Sequence, residues 1–176
     1  LSACGEKKTN AAYEYKNCTI GQCTFETTSA REVALVDADQ SITSAELSST
    51  LSYQDVTYTL TSIGEWAFNG STSLTGIEIP NSVTSIGDNA FNSCTGLTSI
   101  EIPNSVTSIG YGAFGYCTSL TSIEIPDSVI TIEFGAFWGC ENLVSIDIPD
   151  SVTEIGYRAF YGCKNLTSIV IPDSVT

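Results

Sequence analysis

The sequence predicts an α/β solenoid that consists mostly of short β-strands and begins with a β-rich N-terminal cap. The main observation is the spacing of the five prolines, which are always 23 residues apart: Pro80, Pro103, Pro126, Pro149 and Pro172. Leucine, isoleucine, phenylalanine and cysteine recur at the same interval. Because the period does not slip, equivalent apolar side chains of successive units are expected to stack on one another.

Each repeat unit contains two short extended segments and one compact turn. The first segment, SIEI at residues 122–125, alternates polar and β-branched residues and therefore predicts a strand. Pro126, Asp127 and Ser128 follow, and this combination favours a turn, because Pro fixes φ and Asp and Ser side chains bond the nearby backbone. A second extended segment comes next, and the final Ala-Phe-x-x-Cys stretch predicts one turn of α- or 3₁₀-helix with Ala and Phe inward.

The repeat unit reads L-x-x-I-x-I-P-[ND]-S-V-x-x-I-G-x-x-A-F-x-x-C-x-x from Leu74 to Thr176, and it resembles the leucine-rich repeat of BspA-like bacterial surface proteins. The resemblance implies a right-handed, curved leucine-rich repeat solenoid with parallel strands on its concave side. It also implies a role in adhesion and recognition. Two residues depart from the pattern, since Glu133 stands in a glycine column and Ser71 stands where later units have cysteine.

Three regions are predicted along the chain. Residues 1–12 form a flexible tether, residues 13–46 form the β-rich cap, and residues 47–176 form the leucine-rich repeat solenoid. The first copy in the solenoid is diverged and carries the insertion LSYQDVTY, and the last copy stops after IPDSVT. We expect either that the solenoid continues beyond Thr176 or that another molecule covers its end, because an open strand edge would otherwise meet water.

Composition narrows the classes of function. A formal net charge of -14 makes a nucleic acid an unfavourable partner, because its phosphates would be repelled. Histidine is absent, which removes most triad chemistry and most zinc enzymes. No apolar run reaches the roughly 20 residues that cross a bilayer. The sequence therefore predicts a binding protein without a cofactor or catalytic residues.

The N-terminal residues LSACGE resemble the lipobox of bacterial lipoproteins. That resemblance implies that Cys4 becomes the acylated first residue of the mature protein, and that GEKKTN serves as a polar spacer. The chain is then an exported lipoprotein of the outer membrane or bacterial cell surface. Its contact with the membrane would be made only through the lipid.

The remaining cysteines have separate interpretations. Cys18 and Cys23 are close enough in sequence to form a disulfide across a turn in an exported protein, although separation alone leaves free thiols equally open. The other four recur once per unit and should lie in a line, which does not suit the tetrahedral coordination of zinc: Cys94, Cys117, Cys140 and Cys163. They are predicted to be buried thiols that act as small hydrophobic side chains.

Two surfaces are candidates for binding a partner. The first is an acidic ladder on the outward side of the first strands, which is either a partner or cation site or a plain solvated face: Glu78, Glu101, Glu124 and Asp147. The second is a group of aromatic residues in two columns four residues apart, with Tyr116 beside them, which either contacts a partner or shields the shell: Tyr111, Phe134, Trp138, Tyr157, Tyr161 and Tyr116.

The sequence therefore predicts a cell-surface module that binds another macromolecule, with a protein as the first choice of partner. Glycan binding by the aromatic residues is the alternative, and it is a different class of function, since aromatic rings also bind sugars by stacking on them. A structural spacer that projects a C-terminal region is the third hypothesis. The oligomeric state is left open.

Overall fold

The computed structural model describes residues 5–6, 16–20, 23–29, 31–53 and 55–176. Cys4 and most of the predicted tether lie outside this set. The described residues form fourteen strands: β1 (Gly5–Glu6), β2 (Lys16–Ile20), β3 (Cys23–Thr27), β4 (Glu32–Ala38), β5 (Ser44–Glu46), β6 (Thr50–Tyr53), β7 (Val56–Ile63), β8 (Gly76–Glu78), β9 (Ser85–Ile86), β10 (Ser108–Ile109), β11 (Ser122–Glu124), β12 (Thr131–Ile132), β13 (Ser145–Asp147) and β14 (Glu154–Ile155). They form a β-solenoid of about 5 turns, which we call coils, with a 23-residue spacing.

The longest parallel ladder is built by the second strand of each coil. β7, β9, β10, β12 and β14 pair in parallel and in register, so that Ile63, Ile86, Ile109, Ile132 and Ile155 lie in one column. The first strands form a shorter and interrupted ladder, in which β5 pairs with β8, a bridge joins Glu78 to Glu101, and β11 pairs with β13. Both ladders run along the solenoid, as the constant period predicts.

The predicted helical turn is wrong, because the described residues contain strands and turns but no helix. Alternate backbone N–H groups of this segment donate to the next coil instead, as Asn89 does to Tyr111 (2.7 Å) and Phe91 does to Ala113 (2.8 Å). An α-helix would need those same donors for its own carbonyl groups. The α/β description is therefore corrected to an all-β solenoid for the described part of the chain.

Two left-handed positions in each coil complete the turn. One column of positive φ contains Trp66, Asn89, Gly112, Gly135 and Arg158, with φ between 53° and 62°. A second column, four residues later, has φ between 57° and 79°: Gly70, Ser93, Tyr116, Gly139 and Gly162. Left-handed residues interrupt a right-handed helix, and they turn the chain so that the intervening alanine and phenylalanine face the core.

Stacked phenylalanine rings form the centre of the core. Phe68, Phe91, Phe114 and Phe137 are fully buried, and Phe160 is packed against them. Their ring centroids are 5.1 to 5.6 Å apart in succession, and neighbouring ring planes differ by no more than 6°. Spacings of this size fit offset stacking, which aromatic pairs prefer over a face-to-face sandwich.

The four repeat cysteines are buried free thiols, as predicted. Each Sγ also donates a hydrogen bond, 3.0 to 3.2 Å long, to a phenylalanine carbonyl of the preceding coil. Burial raises the pKa of the Cys94 and Cys140 thiols to about 12, and it raises the pKa of the Cys117 thiol well above its usual value. The thiols are therefore neutral in the folded protein. They form hydrogen bonds in addition to the predicted packing as small hydrophobic side chains.

The N-terminal strands join the main sheet. β2, β3 and β4 form an antiparallel meander, and β4 continues into the solenoid by pairing in parallel with β7. Phe25, Leu35 and Ile42 are buried in one core with the first coils. The predicted insertion forms a hairpin of β6 and β7. Two statements stay predictions: residues 13–46 act as a cap, and the solenoid begins at residue 47.

Of the two alternatives left open for Cys18 and Cys23, the structure has the free thiol rather than the disulfide, because Cys23 is free and buried. The ladder between β2 and β3 sets Cys18 opposite Phe25 and Cys23 opposite Ile20. The two cysteines are thus diagonal neighbours in the sheet, and diagonal positions are farther apart than a disulfide spans. Burial raises the pKa of the Cys23 thiol to about 11, with a smaller contribution from the negative charge of Asp37.

The glycine column that Glu133 interrupts is set by close approach between coils rather than by an unusual φ. A Cβ on Gly87 would lie 2.7 Å from the backbone nitrogen of Glu65, and one on Gly156 would lie 2.5 Å from that of Phe134. Neither Glu133 nor the glycines of this column has a positive φ. The position in the fourth coil therefore accommodates a side chain without left-handed strain.

Candidate functional site

The acidic ladder contains five carboxylates, one more than predicted. Strand pairing aligns Glu46 with Glu78, Glu78 with Glu101, and Glu124 with Asp147. All five side chains are exposed, and neighbouring parallel strands lie about 4.8 Å apart. The signal for Glu46 was present in the sequence, because TSAEL at residues 43–47 has the pattern of TSIEI at residues 98–102.

Four carboxylates of the acidic ladder, those of Glu46, Glu78, Glu101 and Glu124, line an open groove. The groove consists of shallow depressions of about 380, 410 and 510 Å³, which are bounded by the ladder itself and by residues such as Pro80, Asn81 and Pro103. None of the ladder carboxylates forms an ion pair or hydrogen bond with a side chain of the described residues. In the same residues, no group of three or more His, Cys, Asp or Glu side chains is placed to hold a metal ion.

The aromatic residues of the last coils gather into a patch around Trp138. The Trp138 ring centroid lies 6.2 Å from that of Tyr116, 6.2 Å from that of Phe134 and 5.4 Å from that of Tyr161. Phe134 in turn lies 6.0 Å from Tyr157. The four contacts connect three successive coils; two are tilted and two are edge-to-face, an arrangement that aromatic pairs favour. Trp138 is half-buried, whereas Tyr157 is 70% and Tyr161 60% exposed.

A cation lies within this group of rings. The Arg158 guanidinium carbon is 5.1 Å from the ring centroid of Trp138, 5.0 Å from Tyr157 and 5.4 Å from Tyr161. Each distance is within the roughly 6 Å over which a cation interacts with an aromatic face. We use the name aromatic patch for the six residues Tyr116, Phe134, Trp138, Tyr157, Arg158 and Tyr161.

Two members of the aromatic patch are bulky residues in the left-handed region. Tyr116 has φ 57° and Arg158 has φ 60°. Glycine occupies the same columns at Gly112, Gly135 and Gly139. A side chain costs energy in that region, and strained residues persist where the surroundings hold them, often at functional sites. Tyr116 also needs glycine in the next coil, since a Cβ on Gly139 would lie 2.8 Å from its ring.

The structure brings together five of the six predicted aromatic residues. Tyr111 is exposed, but its ring makes no contact with another aromatic ring of the described residues. The predicted contact between residues four apart is present in Phe134 and Trp138, although a pair of left-handed turns rather than a helix produces it. Arg158 was not among the predicted site residues, because its column otherwise gives no sign of facing the rings. The one available signal was a cation flanked by Tyr157 and Tyr161.

Positive charge is rare in the repeats. Residues 47–176 contain only two cationic side chains, Arg158 and Lys164. Lys164 lies 2.7 Å from a carboxylate oxygen of Glu141. Arg158 has no ion pair with a described carboxylate. The aromatic patch therefore carries the one unpaired cation of the repeats, within the part of the chain that the structure describes.

No helix of the described residues is long and apolar enough to cross a bilayer. Stacked parallel strands, a buried phenylalanine column and an exposed patch of rings define, in the described residues, a repeat solenoid that presents an open surface. The chain belongs to the family of the BspA type leucine rich repeat region (6 copies), whose model matches residues 7–118 and 107–176. This match confirms the resemblance identified from the repeat unit.

Solved structures of bacterial leucine-rich repeat proteins share the fold. A leucine rich cell surface protein from Faecalibacterium prausnitzii is 28% identical with a TM-score of 0.72, over 94% of this chain and 51% of that protein. A leucine-rich repeat protein from Bacteroides capillosus is 27% identical with a TM-score of 0.61, over 80% of this chain and 97% of that one. The chain thus spans about half the length of the F. prausnitzii protein. No curated protein sequence matches the chain at a significant level.

Proposed function

We propose that the protein is a bacterial cell-surface module that binds a protein partner through the aromatic patch. The observation that carries the proposal is the gathering of five aromatic rings and one arginine on the exposed side of three successive coils. Tyrosine, tryptophan and arginine are the residues that most often dominate the energy of protein interfaces. Membership of a leucine-rich repeat surface-protein family supports a protein partner in broad terms.

The shape of the aromatic patch favours a protein over a sugar. Sugar rings stack on exposed, flat aromatic faces, but Arg158 already lies over the rings of Trp138, Tyr157 and Tyr161. Trp138 is also surrounded by other rings and is half-buried. Glycan binding therefore remains the alternative, and a glycan array comparing the parent chain with Trp138→Ala tests it.

A protein array separates the aromatic patch from the rest of the surface. The parent chain and Phe134→Ser would be compared on an array of purified extracellular proteins, because Phe134 is exposed and lies in the patch. Val144→Thr is a matched control, since it removes an exposed apolar side chain elsewhere, and threonine occupies the same column at Thr98 and Thr121. We expect a signal that Phe134→Ser loses and Val144→Thr keeps. Signals that survive Phe134→Ser would contradict binding through the patch.

The acidic ladder is the other predicted partner surface, and a separate variant tests it in the same experiment. Replacing Glu78 and Glu101 by glutamine removes two adjacent charges from exposed strand positions. If the partner binds the aromatic patch, this double variant keeps the array signal. If the signal is lost with the ladder variant and kept with Phe134→Ser, the acidic surface replaces the patch in the proposal.

Anchoring through a lipid on Cys4 is a separate part of the proposed function. It rests on the LSACGE motif, because Cys4 lies outside the described residues. Metabolic labelling of the expressed precursor with a fatty acid tests it, with Cys4→Ser as the control. Equal labelling of the parent and Cys4→Ser would remove the anchor from the proposal.

A further inference from the structure

We infer that Arg158 is the anchor for a carboxylate of the partner, and that the partner carries this carboxylate next to an apolar or aromatic side chain. This inference rests on the proposed function, since it adds the chemistry that the aromatic patch would recognise. The Arg158 guanidinium is within 5.4 Å of three ring centroids and has no described carboxylate as a partner.

The position of Arg158 leaves its hydrogen-bonding capacity available. A guanidinium has five N–H donors and no acceptor, and rings interact with its flat face rather than with its N–H edge. No described residue accepts a hydrogen bond from the Arg158 side chain. A carboxylate has the planar, two-oxygen geometry that pairs with the donor edge of arginine.

The rings make the anchor better ordered than an ordinary surface arginine. Trp138, Tyr157 and Tyr161 contact the guanidinium from several directions, so less side-chain freedom is lost when it binds. A free surface arginine loses conformational freedom when an interface immobilises it, which opposes binding. Preorganisation of this kind increases affinity without any additional contact.

Backbone strain supports a role for this side chain beyond packing. Arg158 has φ 60°, and the equivalent positions of the two preceding coils are Gly112 and Gly135. Glycine or asparagine meets this geometry at lower cost, as Asn89 does in an earlier coil. Trp66 of the first coil has the same conformation, so the fold tolerates a bulky residue in this column, and at Arg158 a binding role would account for its energetic cost.

Charge complementarity selects the occupant. The chain has a formal net charge of -14, and Arg158 is the one unpaired cation of residues 47–176 in the described structure. An acidic group of a partner is therefore repelled by most of this surface and attracted at the patch. Repulsion from carboxylates beyond about 8 Å is screened at physiological ionic strength. Phe134 and Tyr116 are in the patch, but their rings are not among the three that the guanidinium contacts, so they would accept the partner's neighbouring apolar side chain.

Selection from a phage-displayed library of random linear peptides on the immobilised full chain tests the inference. We expect the enriched peptides to carry Asp, Glu or a C-terminal carboxylate beside an aromatic or large apolar residue. Titration calorimetry would then compare the parent chain with Arg158→Asn, a residue that the same position holds at Asn89. Binding is expected to weaken about tenfold or more in Arg158→Asn, and also when the peptide's Asp or Glu is replaced by its amide.

The remaining variants distinguish this inference from the proposed function. Arg158→Lys keeps the charge without the fork of donors, so it is expected to bind more weakly than the parent. If peptide binding is lost in Phe134→Ser but unchanged in Arg158→Asn, the carboxylate anchor is wrong and the aromatic patch stands. If neither variant alters binding, both proposals fail. Uronic-acid or sialylated oligosaccharides that bind in an Arg158-dependent manner, with no acidic peptide enriched, would overturn the protein partner.

Discussion

The Sγ of Cys117 donates a hydrogen bond to the backbone carbonyl of Phe91, 3.2 Å away in the preceding coil. The same carbonyl accepts the N–H of Cys94 at 3.1 Å, which closes a turn in its own coil. Both acceptor positions of a fully buried oxygen are thereby used. The repeated cysteine is thus a polar link between coils as well as a small apolar side chain.

The first prediction concerns the dependence of stability on pH. The folded state raises the pKa of Cys117, so the neutral thiol is favoured on folding. This contribution is fully present below the ordinary thiol pKa of 9.0 and is lost as the pH rises above it, by about 1.4 kcal/mol per pH unit for each thiol. The free energy of unfolding, measured by urea titration from neutral to alkaline pH, should fall less steeply in Cys117→Ala than in the parent.

Alkylation provides the control for that prediction. The thiols of Cys94, Cys117 and Cys140 are fully buried, so peptide mapping should find them unlabelled at neutral pH and labelled only in urea. Labelling of these residues in the native protein, or identical pH slopes in both chains, would contradict the account of the buried thiol column.

The second prediction is a gain in stability from Ser71→Ala. Ser71 occupies the first position of the cysteine column, is fully buried, and its Oγ has no hydrogen-bond partner. The reason is that Ser71 lies in the first coil, whose neighbour on the N-terminal side is β4 and not another repeat with a phenylalanine carbonyl in this column. Removing an unsatisfied hydroxyl should raise the free energy of unfolding by about 1 kcal/mol. Cys94→Ala, which removes a bonded thiol from the same column, should lower it; equal losses in both variants would show that Ser71 does have a partner.

The third prediction compares two glycines. A Cβ on Gly110 would lie 2.6 Å from the backbone nitrogen of Asp88 and 2.7 Å from the carbonyl carbon of Gly87. Gly110→Ala should therefore separate two coils and lower the free energy of unfolding by about 1–3 kcal/mol. Gly76→Ala is the matched control, because no atom lies within 4 Å of its added Cβ and its φ is ordinary. Thermal denaturation should show a loss for Gly110→Ala and none for Gly76→Ala; similar melting temperatures would contradict the close approach.

The fourth prediction concerns repulsion along the acidic ladder. Glu101 follows Glu78 in this ladder, and a second glutamate, Glu124, lines the same depression as Glu101. Glu101→Gln should raise stability at low salt by up to about 1 kcal/mol, and the gain should vanish in 1 M salt because the charges are screened. Glu101→Asp keeps the charge and should show no such gain. A gain that persists at high salt would indicate a cause other than charge repulsion.

Much of the fold can be predicted from the sequence, because a constant repeat length fixes which residues of successive coils lie next to each other. Once Phe91 and Phe114 are 23 residues apart in a repeat that does not slip, their stacking follows, and the structure has them 5.4 Å apart. The same reasoning placed Glu78 beside Glu101. Columns of identical residues can be predicted from the sequence alone, because each coil repeats the contacts of the one before.

Local conformation within a coil was harder to predict. The segment around Ala90 and Phe91 has a helical appearance, but competition for its N–H groups is decided by the next coil, which offers carbonyls to alternate residues. Residues without a repeated identity were the hardest. Arg158 and Tyr116 take left-handed conformations that their side chains disfavour, so their part in the aromatic patch depends on three-dimensional surroundings.

The in-register alignment of equivalent residues has a consequence for how such a gene can change. Loss or duplication of one whole unit from the regular coils would bring the flanking coils together with the same phenylalanine contact and the same carbonyl acceptors. An insertion of another length keeps the later columns in register only if it leaves the coil, as the β6–β7 hairpin of the first coil does. Unequal recombination between copies can therefore change the length of the solenoid while leaving the contacts between its coils intact. The aromatic patch depends on residues of only three coils, so it would be kept or lost together with those coils.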